Sequence, residues 1–305
     1  MTTILVTGGS GTFGRAFARE ALKNGHVDRL RIYSRGEHEQ ARMRAAFPDN
    51  RIRWLIGDVR DRERLTRAMD GCDVVVHAAA LKRVEVGEYN PTEVAKTNVL
   101  GTMNAIEAAT DAGVLKFVTL SSDKACAPIN AYGASKLMAE KLTIAANNAR
   151  GSNGPIFAAT RYGNIAGSNG SVIPAWRAGQ PWMSDPECTR FWMRIEEAVD
   201  LVLWTLEHMV GGELVVPDLP AYRLGDLAEA MKLKPEIKGY RGAEKPHETM
   251  ITEHEAQTFM RSGQGYWIAQ DCSPMDWTEP RRNPLRSDTA RRLSIEELRE
   301  EIETV

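Results

Sequence analysis

Apolar, largely β-branched runs recur along the first part of the chain at residues 3–6, 30–33, 52–56, 74–76, 117–120 and 156–160, with longer helical stretches between them. Short runs that are apolar on both faces and separated by helix-length segments belong in a parallel sheet covered on both sides, not in an antiparallel sandwich. The pattern predicts a doubly wound α/β unit, a Rossmann-type parallel sheet, over residues 1–165. After Asn164 it breaks into sequence richer in Gly, Pro and Trp, where only residues 195–210 read as a clear amphipathic helix. Residues 166–190 and 216–290 are expected to build a smaller α/β lobe, with 191–215 returning to the first unit. Residues 291–305 close the chain as a helix: Ser294 and Glu297 have the spacing of a capping box, and Leu293 with Leu298 that of a hydrophobic staple.

Size and charge narrow the classes. The 305 residues suffice for a substantial core and a cleft. Lys plus Arg total 39 against 41 Asp plus Glu, so nothing in the balance advertises nucleic acid or an anionic membrane. No apolar run approaches the ~18 residues of a membrane span, and the first strand begins within three residues of the N-terminus, so no signal peptide is expected. Cys72, Cys126, Cys188 and Cys272 are scattered, without a CxxC pair or a His at ligand spacing, which points to neither zinc nor disulfides and fits a reducing cytoplasm. His247-Glu248 and His254-Glu255 do not give HExxH spacing, and no Ser-His-Asp arrangement is readable.

The first strand runs into Thr7-Gly8-Gly9-Ser10-Gly11-Thr12-Phe13-Gly14 and then a helix-forming stretch. Glycines at a strand-to-helix turn allow positive φ and close backbone approach to a pyrophosphate, and the helix offers that anion its unpaired N–H groups and positive dipole end. At the head of a βαβ series this is a dinucleotide site. The second strand ends in Tyr33-Ser34-Arg35, where an NAD site usually places an acid; Arg35 points to a 2′-phosphate and hence NADP, a solvated surface arginine being the alternative. Asp58, before Val59 at the end of the third strand, stands either beside the adenine or as N-cap of the next helix. Ala78-Ala79-Ala80 either lets the cofactor lie against backbone or serves tight helix packing.

Tyr132 and Lys136 lie four apart at the start of an apolar-periodic helix and so share one face, about 5–6 Å apart. An ammonium ~4 Å from the phenol is worth about 4 kcal/mol at an effective dielectric near 20, roughly three pKa units off tyrosine's usual ~10. The phenol then becomes a base that can take a hydroxyl proton while the adjacent carbon gives hydride to a nicotinamide. Ser122, closing the fifth strand, either hydrogen-bonds a sugar hydroxyl or caps a turn.

The glycine loop with Tyr132 and Lys136 resembles the extended short-chain dehydrogenase/reductase superfamily. Leu120-Ser121-Ser122-Asp123-Lys124-Ala125, Ala80-Leu81-Lys82-Arg83-Val84, Arg161-Tyr162-Gly163-Asn164 with Gly167-Ser168, and Thr189-Arg190-Phe191-Trp192 narrow the resemblance to the inverting UDP-N-acetylglucosamine 4,6-dehydratases, over nearly the whole chain. That resemblance implies a tightly bound, recycled NADP. It implies C4 oxidation, removal of the C5 proton by Lys124, donation by Asp123 to the departing C6 hydroxyl, and hydride return to C6. The product is UDP-2-acetamido-2,6-dideoxy-L-arabino-hex-4-ulose. Lys124 must then be depressed, with Lys136 and Lys82 as candidate causes, while Asp123 must keep its proton. For UDP it implies Asn164, Arg190, Arg241 and Glu244, with Ser171 and Val172 near the uracil and Lys82 near the diphosphate. It also implies a homo-oligomer, from dimer to hexamer. Family members tend to carry Pro-Gly between the Arg and Glu-Lys of the late segment, where this chain has Arg241-Gly242-Ala243-Glu244-Lys245, and the chain is somewhat short for the family. Alternatives are a bifunctional dehydratase/epimerase, a UDP-sugar 4-epimerase, which needs no Asp123-Lys124 pair, and a non-catalytic NADP-binding sensor.

Overall fold

The computed structural model describes residues 2–23, 27–269 and 279–305. Cys272 lies outside them; Cys72, Cys126 and Cys188 are buried free thiols. Alternation begins at once, with β1 (Thr3–Thr7), α1 (Thr12–Lys23), β2 (Arg29–Ser34), α2 (Glu37–Ala46), β3 (Ile52–Ile56), α3 (Arg62–Met69) and β4 (Val74–His77). Helices α4 (Val84–Tyr89), α5 (Pro91–Val94) and α6 (Gly101–Asp111) lead to β5 (Lys116–Leu120), and a 3₁₀ turn (Asp123–Ala125) with α7 (Ala131–Ala149) leads to β6 (Ile156–Thr160). All six apolar runs are strands.

β3, β2, β1, β4, β5 and β6 form a parallel sheet in that spatial order. The order reverses between β1 and β4, because β2 and β3 are added on one side of β1 and β4 to β6 on the other. Such a switch point opens a crevice at the C-terminal ends of the strands, where ligands of open α/β sheets bind. Val6, Ile32, Val76 and Val118 pack under α1 on one face, while Leu5, Val75 and Phe117 meet α3 and α6 on the other, which is why these strands are apolar throughout.

Past β6 the chain forms α8 (Val172–Arg177), β7 (Trp182–Met183), β8 (Thr189–Phe191), α9 (Ile195–His208), β9 (Leu214–Val216), β10 (Ala221–Arg223) and α10 (Leu224–Ala230). Helix α9 packs on α1, and β9 extends the parallel sheet beside β6. Next come β11 (Glu236–Ile237), β12 (Thr249–Ile251), α11 (Glu253–Ala256), β13 (Phe259–Arg261), β14 (Trp267–Ala269), β15 (Glu279–Pro280), β16 (Leu285–Arg286) and α12 (Ile295–Glu303). Residues 216–290 were expected in the smaller lobe, but β14, β13 and β15 pair antiparallel, one after another, on the free edge of β9, giving ten strands among the described residues. Strands of two or three residues carry no readable period, and Trp267 and Ile268 are buried there as cover for an otherwise open edge. A second core forms from Ile173, Trp176, Met183, Tyr222, Leu227 and Leu298. Helix α12 enters it through the anticipated capping box, Ser294 Oγ accepting from Glu297 N at 3.1 Å while Glu297 Oε2 accepts from Ser294 N at 2.7 Å.

Arg161, just beyond β6, is 1% exposed and ties the parts together. Its Nε and Nη2 donate to the two carboxylate oxygens of Glu140 on α7, at 2.9 and 2.7 Å, and Nη1 donates to Met250 O on β12 at 2.8 Å. Glu255 on α11 accepts at 3.0 and 3.1 Å. Breaking a buried pair from one side strands a charge. Glu140→Ala is therefore expected to cost about 3–5 kcal/mol of folding stability, measured by urea unfolding.

Candidate active site

The loop after β1 is shaped by what side chains cannot occupy. Gly8 has φ +65°, and a Cβ there would lie 2.9 Å from Ala79 N and Cα; one on Gly14 would collide with Gly9 O. Thr7 Oγ1 accepts from Ala78 N and Ala79 N at 3.1 and 3.2 Å, binding the β4 loop to the glycine loop. Thr7 in turn is held by His77 Nδ1 at 2.9 Å, an imidazole that burial keeps neutral by pushing it down to about 3. Ala78 and Ala79 thus present backbone at the crevice.

Ser34 Oγ accepts from Ser10 Oγ and from Gln40 Nε2, both at 2.9 Å. Arg35 is exposed, 3.7 Å from Asp58, whose carboxylate is gripped by the Arg60 guanidinium at 2.7 Å. The N-cap alternative for Asp58 is corrected: Asp61 caps α3, accepting from Arg64 N at 3.0 Å, and Asp58 instead accepts from Arg60 N. Val59 is buried beneath the start of α6.

At the other end of the crevice, Asn130 caps α7 by accepting from Gly133 N at 2.7 Å. A Cβ on Gly133 would collide with Lys124 O, so this glycine lets the first turn of α7 press against the 3₁₀ turn that carries Asp123 and Lys124. Ser122 caps that turn and lies close enough to the Tyr132 phenol to hydrogen-bond it. The expected influence of Lys136 on Tyr132 is not found. Lys136 Nζ donates to Leu120 O at the end of β5, and burial lowers its ammonium to about 8. Burial raises the Tyr132 phenol above its ordinary value, and the cation acting against that rise is Lys124.

Lys124 Nζ donates to Asp123 Oδ1 and Asn164 Oδ1, both at 3.0 Å, and stands 3.3 Å from Glu248 Oε1. Burial opposes its charge, but the two carboxylates outweigh burial and hold the ammonium well above the usual lysine range. The expected depression by Lys136 and Lys82 is thereby corrected: carboxylates, not cations, surround Lys124. Asp123 is fully buried, and burial raises its carboxyl, with Lys124 opposing and Glu248 adding to the rise. Asp123 Oδ2 and Glu248 Oε2 are buried and lack a hydrogen-bond partner. Motif reading did not find Glu248; it follows no recognisable spacing, and folding alone brings it to the turn after β5.

Arg190 is buried, donating to Thr189 O, Pro246 O and Glu244 Oε1 at 2.8, 3.0 and 2.9 Å. Arg241 stacks on Trp182 at 4.5 Å and reaches Glu244 Oε2 at 3.3 Å, the oxygen that also accepts from Ser184 Oγ at 2.6 Å. Glu244 therefore holds two guanidiniums in place. Between Arg241 and Glu244, Ala243 adopts φ +70°, a left-handed conformation that a side chain makes costly. Ser171 and Val172 open α8, with Ser171 Oγ buried and unpartnered. Lys82 and Arg83 lie together, and burial with Arg83 holds the Lys82 ammonium below its usual range.

One cavity of about 810 Å³ joins these groups. Gly8, Gly11, Thr12, Phe13, Ala78, Ala79, Tyr132 and Lys136 line it from the sheet side; Lys82, Asn164, Ser171, Val172, Arg190, Arg241 and Glu244 line it from the other, with Ser122, Lys124 and Glu248 between. Ser10, Gly14, Ser34, Arg35, Asp58, Val59 and the buried Asp123 do not form its wall. Among the described residues no cluster of His, Cys, Asp and Glu could hold a metal, and no helix is long and apolar enough to cross a membrane.

Residues 4–270 match the family described as polysaccharide biosynthesis protein. The chain belongs to that family. It is 44% identical over 281 residues to a Campylobacter jejuni UDP-N-acetylglucosamine 4,6-dehydratase (inverting), covering 90% of this chain and 84% of that protein. A Rickettsia rickettsii UDP-glucose 4-epimerase is 36% identical over 321 residues, covering 98% and 94%. The solved structure of Pen from Bacillus thuringiensis superposes with a TM-score of 0.93 at 34% identity, covering 99% of this chain and 97% of that one. The family member described here is thus an enzyme related to the inverting 4,6-dehydratases, with the doubly wound Rossmann fold its strand pattern implied.

Two of its left-handed positions, Gly8 and Ala243, yield opposite expectations. Gly8→Ala should lower the unfolding free energy by about 1–2 kcal/mol or more, since it adds a clash to an unfavourable φ, whereas Ala243→Gly should raise it by up to about 1 kcal/mol. Urea unfolding of both variants checks the signs.

Proposed function

We propose that this enzyme catalyses the NADP-dependent 4,6-dehydration of UDP-N-acetylglucosamine with inversion at C5, giving UDP-2-acetamido-2,6-dideoxy-L-arabino-hex-4-ulose. The observation that carries the proposal is the Asp123–Lys124 pair: Lys124 lines, with Tyr132, a cavity shared with the glycine loop, and Asp123 lies buried directly behind it with Oδ2 unpartnered. A hydride site alone needs no such pair.

The cradle formed where Gly8 meets the Ala78–Ala79 backbone fits a dinucleotide, and the amides opening α1 suit its pyrophosphate. Preference for NADP follows from the exposed guanidinium of Arg35 at the end of β2, where no acid stands. Bound there, the nicotinamide would accept hydride from sugar C4 and return it to C6, and a proton delivered to C5 from the face opposite to the one that lost it completes the inverted product. Tyr132 Oη takes the C4 hydroxyl proton, assisted by Ser122. Lys124 Nζ takes the C5 proton acidified by the new ketone in the fraction of enzyme whose ammonium has given up its proton, a fraction that Asp123 and Glu248 keep small, and Asp123 gives its proton to the C6 hydroxyl, which departs as water. Arg190 and Arg241, oriented by Glu244, hold the diphosphate; Asn164, Ser171 and Val172 position the nucleoside side, and Lys82 steers the anion inward. Residues 166–190 with 216–258 act as the substrate lobe. A cytoplasmic homo-oligomer completes the proposal.

The epimerase relative favours a second reading, 4-epimerisation of a UDP-sugar, which leaves Asp123 and Lys124 without a task. Incubation with UDP-N-acetylglucosamine is expected to give a product lighter by one water, without net consumption of NADPH and with deuterium at C5 in heavy water. An epimer of unchanged mass would replace the dehydratase. Lys124→Ala should reduce both dehydration and C5 labelling by about 10²–10⁴-fold.

A further inference from the structure

We infer that Glu248 is a positioning residue of the elimination chemistry: its charge holds the Lys124 ammonium in place and keeps the proton on Asp123. The inference deepens the dehydratase proposal and rests on it.

Three acceptors surround Lys124 Nζ, namely Asp123 Oδ1, Asn164 Oδ1 and Glu248 Oε1, which matches the three N–H groups of an ammonium. Glu248 is itself fixed by its backbone: its N–H donates to Ser287 Oγ, and its carbonyl accepts from Ser287 N, both at 2.9 Å. Two carboxylates now share one buried cation, and like charges so placed do not both ionise cheaply. Arg190 Nε, 4.0 Å from Glu248 Oε1, and Lys245 favour the charge on Glu248. The other groups facing the cluster, Tyr132 and Tyr222, are neutral phenols raised by burial. The proton therefore resides on Asp123. Since Asp123 Oδ1 accepts from Ser122 Oγ at 2.9 Å and from Lys124 Nζ at 3.0 Å, the unpartnered Oδ2 is the oxygen that carries it. The proton thus sits on the oxygen that no neighbour engages, directly behind the wall that Lys124 forms.

Removing the Glu248 charge lowers the proton affinity of both neighbours. Lys124 becomes a free amine at lower pH, which moves the ascending limb of the pH–rate profile down; Asp123 loses its proton at lower pH, which moves the descending limb the same way. The test is kcat/KM for dehydration against pH, with NADP-loaded wild type, Glu248→Gln and Glu248→Asp. The Gln variant should show its optimum displaced by about 1–2 pH units toward acid, while the Asp variant keeps the wild-type optimum. A Gln profile that is lowered without moving reveals a merely structural role and overturns the inference. A substrate-free measurement separates this from failure of the proposed activity: the ¹³Cε resonance of Lys124, assigned through Lys124→Arg, should titrate at lower pH in Glu248→Gln. If that shift appears in an enzyme that does not dehydrate, the assignment of activity fails and the electrostatic role stands. If dehydration occurs and the resonance titrates unchanged, the inference falls.

Discussion

The buried ion pair of Arg161 with Glu140 is the constraint on which the site depends. It fastens the end of β6 to α7, the helix that begins with Tyr132 and Lys136, and through Met250 and Glu255 it docks the segment that bears Glu248. Desolvating a guanidinium and a carboxylate is costly, and only near-ideal bidentate geometry offsets it. The groups proposed for catalysis and Glu248 sit on separate stretches of chain, so this pair sets their mutual register more than it adds stability.

A second constraint is electrostatic. The switch point between β1 and β4 creates a crevice, and the turn after β5 fills its flank with Asp123, Lys124 and, from across the fold, Glu248 and Arg190. Carboxylates and cations alternate at 3–4 Å there, each compensating its neighbour's burial. Two carboxylate oxygens remain unsatisfied. Unpaired buried acceptors oppose folding; here Glu248 lines the cavity and Asp123 lies directly behind its wall. The left-handed Ala243, between Arg241 and Glu244, is strain of the same kind: local cost carried by surrounding packing.

Local chemistry was legible in the residues themselves. Parallel strands announce themselves because burial on both faces demands continuous apolar runs, and Gly8, Gly11 and Gly14 because backbone must approach backbone where a Cβ would not fit. Tyr132, Lys136, Asp123 and Lys124 were readable because they lie within fourteen residues at one strand end. The capping box of α12 is local in the same sense, and the structure reproduces it.

What the sequence did not disclose depends on pairs far apart along the chain. Glu248 meets Lys124 across 124 positions, and with Asp123 it turns the expected downward shift of the lysine into an upward one. Lys136 shares a helical face with Tyr132, yet its flexible stem carries the ammonium to Leu120 O, a choice made by the end of β5 and not by helix spacing. The three short strands beyond β9 joined the main sheet because an open edge needed partners, a demand that no three-residue segment expresses. By itself the sequence determined the parallel sheet and the glycine turn and marked out candidate reactive residues, all of which follow from neighbours a few residues away. Tertiary structure alone decided which charges face one another, and therefore which groups hold protons, because a buried group answers to the nearest charge in space.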